Sequence, residues 1–192
     1  MEYTTLGRTD LRVSVAGLGC GGGSKLGQAN GESEDHSVRL VKAAIDLGVN
    51  FIDTADMYNA GESERIVGRA IVDRRDRIVL ATKGRQKMGD GPNQQGGSRL
   101  HLMHALDGSL KRLGTDYIDI YYYHAPDLST PVDETLRAMD DMVRSGRVHY
   151  IACSNFRAWR ICESLWTSDR LNLNRYVCIQ PLYNIVNRDI EV

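Results

Sequence analysis

The sequence predicts an α/β fold: a (β/α)8 barrel of the TIM type, with about six of its eight βα units present behind a short N-terminal hairpin. Three observations predict it. Six apolar β-type runs alternate with five helix-period segments. Each run is near-continuous in its apolar residues rather than alternating, as strands of a parallel sheet buried on both faces are. Five successive runs also deliver a polar or ionisable group near the carboxyl end. A barrel gathers such groups at one mouth, whereas an open sheet would spread them over ~20 Å at about 4.8 Å per strand.

The elements follow in order. Tyr3–Leu6 and Leu11–Val13 flank a turn at Gly7-Arg8-Thr9-Asp10 and form the hairpin. The six runs are Val13–Cys20, Asn50–Asp56, Arg77–Lys83, Tyr117–His124, His149–Asn155 and Tyr176–Asn184. Their first residues lie 37, 27, 40, 32 and 27 positions apart, the spacing of a βα repeat. His36–Leu47 carries Val38, Val41, Ala44 and Ile45 at helical spacing and stops at Gly48. Ser63 is a candidate cap for Glu64–Val72, and Leu100–Leu113 stops at Gly114. Thr130-Pro131 reads as an N-cap with proline at the first helical position, leading Val132–Ser145 up to Gly146. Arg157–Trp166 is the fifth helix. The longest irregular stretch, Arg85–Gly97, follows the third run and is placed where barrels carry lids.

At 192 residues the chain is one domain's worth, 1–192, with no visible linker or repeat beyond the βα unit. With 24 basic against 25 acidic residues it carries a formal charge of −1, which gives no electrostatic case for nucleic acid or an anionic membrane as partner. No apolar stretch is long enough to span a bilayer. Cys20, Cys153, Cys162 and Cys178 have neither C-x-x-C nor disulfide-framework spacing, and read as reduced thiols of a cytoplasmic protein.

The polar strand ends are Asp53, Lys83, His124, Ser154-Asn155 and Gln180, with Tyr58 in the loop after Asp53. Taken singly, a lysine at a strand end is a solvated rim charge, and a histidine there is satisfied by backbone. Asp53 within Phe51-Ile52-Asp53-Thr54-Ala55 is harder to dismiss, because a buried carboxylate needs a partner and Lys83 is the nearest cation.

Gly17-Leu18-Gly19, the run Phe51 to Tyr58, Gly61-Glu62-Ser63-Glu64, Ala81-Thr82-Lys83, Ser109 to Leu113 and Asp116 to Asp119 stand in this order. His124-Ala125-Pro126-Asp127, Ser154-Asn155-Phe156 and Gln180 to Asn184 complete the series. In this order and spacing the chain resembles the aldo-keto reductases over essentially its whole length. The resemblance implies reduction of aldehydes or ketones with NADP(H) by an Asp53, Tyr58, Lys83 and His124 tetrad. It implies that Ser154, Asn155 and Gln180 bind the nicotinamide carboxamide, and that the backbone near Cys20-Gly21 lies close to the cofactor along with Asp53. Under that mapping Tyr58 is the proton donor. A free phenol, with a pKa of about 10, is a poor acid near neutrality, and a neighbouring ammonium favours its phenolate. Asp53 orients Lys83, and His124 is placed to hydrogen-bond the carbonyl oxygen. Asn59, where the family commonly has glycine, and Ala152-Cys153 before Ser154 depart from the family pattern.

Two other motifs compete. Gly17-x-Gly19-x-x-Gly22 satisfies a dinucleotide-binding pattern, but no helix opens directly after it. His101 and His104 stand three apart on a helix, yet neither is at a strand end, so they read as helix surface or packing and no metal site is assigned. The resemblance further implies that a sixth helix begins at Glu191-Val192 and that strands seven and eight lie beyond this sequence. The alternative function is therefore a truncated or non-catalytic relative that binds cofactor or a protein partner without turnover, as channel subunits of the family do. A metal-dependent barrel hydrolase ranks third. The partner expected first is a small carbonyl substrate, with self-association through open barrel edges as a further expectation.

Overall fold

The computed structural model describes residues 1–21, 26 and 33–191. Gly22, the last residue of the dinucleotide-binding pattern, residues 23–25 and 27–32, and Val192 lie outside them.

A hairpin of β1 (Tyr3–Thr5) and β2 (Arg12–Ser14) opens the chain, antiparallel with Tyr3 facing Ser14. Six parallel strands follow in sequence order: β3 (Leu18–Gly19), β4 (Phe51–Asp53), β5 (Val79–Gly84), β6 (Ile118–Tyr123), β7 (Val148–Ser154) and β8 (Ile179–Gln180). The connections carry α1 (Glu34–Asp46), α2 (Glu62–Ile71), α3 (Arg99–Leu113), α4 (Val132–Arg144) and α5 (Ala158–Leu171), each packed against the next.

The two faces of the sheet have different neighbours, and this decides the architecture. Ile52, Leu80, Tyr121, Ile151 and Cys153 point outward into one core with the helices. Val79, Ala81, Ile120, Tyr122 and Ala152 point inward into a second, smaller core, where they meet Val13, Leu6 and Leu11 of the hairpin. The helix-free inner face is thus plugged by the hairpin, not covered by a second helical layer, as a barrel requires and a doubly wound sheet does not.

Several boundaries differ from the sequence expectation, each for a local reason. The run Val13–Cys20 is not one strand. Ser14 accepts a turn instead, its hydroxyl donating to Ala16 O at 2.8 Å while its amide donates to Asn50 Oδ1 at 2.7 Å, so the chain bends before Leu18. Tyr176–Asn184 shrinks to two paired residues, because β8 pairs only with β7 among the described strands and Pro181 removes the next donor. Ser63 does not cap α2; Gly61, at φ 88°, takes that position and Ser63 lies inside the helix. Pro131, not Thr130, is the cap of α4, and α5 runs on to Leu171. Residues Asp189–Glu191 form a single 3₁₀ turn, and the helix expected from Glu191-Val192 onward falls outside the described residues.

Candidate active site

Period-2 alternation assembles the site. On β4, Phe51 packs in the inner core, so Asp53 also faces inward. The same parity along β5 (79, 81, 83) presents Lys83, and along β6 (120, 122, 124) it presents His124. On β7 (150, 152, 154) and β8 (178, 180) it presents Ser154 and Gln180. One buried face at the carboxyl ends therefore receives all five.

Lys83 is wholly buried and its ammonium is saturated. Nζ lies 2.7 and 2.6 Å from the two Asp53 oxygens, 2.9 Å from the Thr54 carbonyl and 3.3 Å from the Tyr58 hydroxyl. Removing a lysine from water is costly unless it is paired and hydrogen-bonded, and this one is both. Because Tyr58 accepts from the ammonium, its own O–H remains free to donate elsewhere.

The turn that carries Tyr58 is pinned at two points. The Thr54 amide donates to Ala81 O at 2.9 Å and the Asp56 amide to Lys83 O at 3.0 Å. It then passes through three left-handed residues, Asn59 (φ 51°), Ala60 (φ 53°) and Gly61. Asn59 thus occupies a conformation that glycine adopts freely and asparagine tolerates best among the rest, so the departure from the family's glycine leaves the turn intact. Gly21 lies against the other side of the phenol: a Cβ there would sit 2.4 Å from the Tyr58 ring. Cys20 beside it is buried, its amide donating to Asp53 O at 2.8 Å, and burial pushes its thiol up to about 12, which removes it as a nucleophile.

His124 meets Tyr58 edge-on, ring centroids 5.8 Å apart at 83°. Burial, then the Lys83 and Arg85 charges, press its imidazole down to about 4, so it is neutral near pH 7. Its Nδ1 is buried without a partner among the described residues. The His124 carbonyl accepts from Asn155 Nδ2 at 3.1 Å, and the same amide donates to Ser154 Oγ at 3.1 Å. Ser154 Oγ in turn donates to the Gln180 carbonyl at 2.8 Å. Asn155 holds this position at φ 60°. All nine residues named from the sequence therefore converge on one end of the sheet.

Other elements of the site are not predicted from the sequence. Asp127 accepts from the Gly97 amide, the Ser129 amide and hydroxyl and the Thr130 hydroxyl, and so ties the end of the 85–97 loop to the loop carrying His124. Arg85, the first residue of that loop, is held at φ 123° while Nη2 donates to Pro126 O at 3.2 Å. Glu64 of α2 is wholly buried although it is a glutamate. Its signal in the sequence is position: with Val67, Gly68 and Ile71 it lies on the buried stripe of its helix. His101 proves to be buried packing, only 3% exposed.

The model of the aldo/keto reductase family matches residues 18–192. The chain is 41% identical over 194 residues to a probable voltage-gated potassium channel subunit beta of Oryza sativa subsp. japonica, covering 98% of this chain and 57% of that protein. It is 37% identical over 212 residues to a versiconal hemiacetal acetate reductase of Aspergillus parasiticus, covering 100% and 62%. The crystal structure of a thermostable aldo-keto reductase with the inhibitor epalrestat superposes with a TM-score of 0.86 at 36% identity, covering all of this chain and 66% of that one. The chain thus spans about three fifths of the length of these curated relatives. Motif order, inward-facing strand ends and match extent agree: this chain belongs to the aldo/keto reductase family of oxidoreductases.

Proposed function

We propose that this chain carries the catalytic part of an NADP(H)-dependent reductase that converts aldehydes or ketones to alcohols, with Tyr58 as proton donor. The observation that carries the reading is the Asp53–Lys83–Tyr58 chain of contacts, in which a fully paired ammonium addresses a phenol whose proton is free. The nicotinamide supplies the hydride when bound. Asn155 and Gln180 suit its carboxamide, because among the described residues the Asn155 Oδ1 and the Gln180 side chain are left uncommitted, while Ser154 buttresses Asn155. Cys20 and Gly21 contribute backbone beside the phenol.

As charge builds on the carbonyl oxygen, neutral His124 contributes a hydrogen bond and Tyr58 gives up its proton. The phenolate left behind faces an ammonium at 3.3 Å, held by Asp53. The substrate is a small carbonyl compound. The four cysteines, all free, fit a reducing cytoplasm. Among the described residues no helix is long and apolar enough to cross a membrane.

The test is NADPH consumption with a generic aldehyde by the chain and by Tyr58→Phe. Loss of about 10²–10⁴-fold with cofactor binding retained supports the reading; a variant keeping more than about a tenth of the rate removes Tyr58 from the role. A second reading, cofactor binding beside a protein partner without turnover, draws on the similarity to a probable channel beta subunit. It predicts NADPH binding with no consumption for any aldehyde.

A further inference from the structure

Directly behind Lys83, on the outer face of β5, lies a buried polar layer that the proposed chemistry does not use. Glu64 is complete there: Thr82 Oγ1 donates to Oε1 at 2.6 Å and Arg112 Nε of α3 donates to Oε2 at 2.6 Å. Asp56 is equally buried, at 0% exposure, yet neither of its carboxyl oxygens has a hydrogen-bond partner among the described residues. The Nδ2 of Asn59, in the same turn, and the hydroxyl of Tyr121 on β6 are also buried and unpartnered. Arg112, which reaches this layer, is already claimed by Glu64.

A carboxylate in such a place has no compensation for lost water, and the neutral acid, which also loses hydrogen bonds there, is far less costly to bury. Burial, then the charge of Glu64, raise Asp56 from 3.8 to about 7; the Met57 amide, which lies near the carboxyl without closing a hydrogen bond of good geometry, and the Arg112 and Lys83 charges oppose the rise. The charged and titratable groups facing it are therefore Glu64 from α2, Arg112 from α3, Lys83 from β5 and Tyr121 from β6. Asp56 is also mechanically coupled to the site. Its amide donates to the Lys83 carbonyl, and it opens the turn that reaches Tyr58 two residues later. That turn already contains consecutive left-handed residues, each of which costs energy where the residue is not glycine, so it has little reserve.

We propose that Asp56 is a positioning residue: its carboxyl must carry a proton for the turn to hold Tyr58 against Lys83, and its ionisation draws the phenol away. The functional consequence rests on the reading of Tyr58 as proton donor; the structural step does not.

Asp56→Asn keeps the shape of the neutral acid and cannot ionise. A folded-state value near 7 against an unfolded value near 3.8 gives the sign: the stability Asp56 contributes is full below about 3.8 and is lost as pH rises through about 7. The advantage of Asp56→Asn over the unsubstituted chain should therefore widen with pH, by up to tenfold in the folded-to-unfolded ratio per unit, and level off above that window. The Tyr58 ring resonances should shift with the same midpoint as the Asp56 carboxyl carbon, and should be still in Asp56→Asn. An Asp56 carbon that titrates near 4, or a stability difference that ignores pH, overturns the neutral acid. A Tyr58 ring indifferent to the titration overturns the positioning role. If Asp56→Asn does not fold, the carbon and ring titrations of the unsubstituted chain decide. None of these needs turnover, so failure of the reductase reading would appear separately, as intact titrations without NADPH consumption.

Discussion

Strand β5 holds a buried ion pair on each face, and the two are finished differently. On the outer face Glu64 meets Arg112 and Thr82, one partner for each oxygen, with nothing left to exchange. On the inner face Lys83 meets both Asp53 oxygens and a carbonyl, then reaches past them to a phenol. Both pairs meet the cost of burial, and only the second leaves a movable proton beside a charge. A buried charge is thus no sign of chemistry by itself. The sign is a charge whose last partner is a weak acid facing an open end of the fold.

The largest effects should come from cutting each pair. Lys83→Met is expected to lose carbonyl reduction at every pH, by about 100-fold or more, since the phenolate loses its counter-charge. Arg112→Met instead strands a wholly buried carboxylate, and should cost about 3–5 kcal/mol in denaturant unfolding while the folded fraction keeps its activity. Normal turnover in Lys83→Met, or an Arg112→Met chain that unfolds normally but is inactive, would invert the comparison.

Two glycines sharpen it. A Cβ at Gly68 would lie 2.4 Å from the Leu113 carbonyl, a backbone atom fixed by α3, whereas at Gly21 it would meet the Tyr58 ring at the same distance. Gly68→Ala should therefore force α2 and α3 apart and cost about 1–3 kcal/mol. Gly21→Ala should leave the unfolding midpoint nearly unchanged and depress kcat. Equal effects on both readouts in both variants would show that the two faces of β5 are not separable.

How much of this the sequence discloses follows the same division. The inner site is legible because strand parity needs only residue order: Asp53, Lys83, His124, Ser154 and Gln180 share a face once their runs are strands. The outer layer is not legible. Nothing near Asp56 marks it as buried until α2 and α3 close over it, and although Glu64 lies on the apolar stripe of its helix, its pairing spans 48 positions to Arg112. Strand length is also lost at the margins. Central β5 and β6 match their apolar runs closely. At β3 and β8, each paired on one side within the sheet, local turns at Ser14 and Pro181 override apolar character.

Those margins carry the third prediction. Leu182, Tyr183, Ile185, Val186 and Ile190 are exposed beyond β8, with Ile185 and Val186 about nine-tenths so. An apolar segment beside a half-paired strand favours association. The 192-residue polypeptide should elute above its 21.4 kDa mass in light-scattering chromatography, and Ile185→Lys with Val186→Lys should shift it toward monomer. A monomer without those substitutions ends the idea.

The smallest expected effect concerns His124, whose pH dependence runs opposite to that of Asp56. Its imidazole is pressed from 6.5 to about 4 by burial, Lys83 and Arg85. The unfolded chain therefore binds the extra proton first, so the stability contributed by neutral His124 is present above about 6.5 and lost as pH falls through about 4. Between those values Asp56 gains what His124 loses, one proton each, and the two slopes nearly cancel. The unsubstituted chain should show a thermal midpoint almost level across that interval, then a decline toward pH 7 as Asp56 ionises alone. His124→Phe, which keeps a ring against Tyr58, removes one side of the balance and should gain stability steadily on acidification. Asp56→Asn removes the other and should lose it. If His124→Phe instead tracks the unsubstituted chain between pH 4 and about 6.5, the imidazole is not pressed below its ordinary value by its site, and the hydrogen bond assigned to the neutral ring would pass to an imidazolium as pH falls below about 6.5.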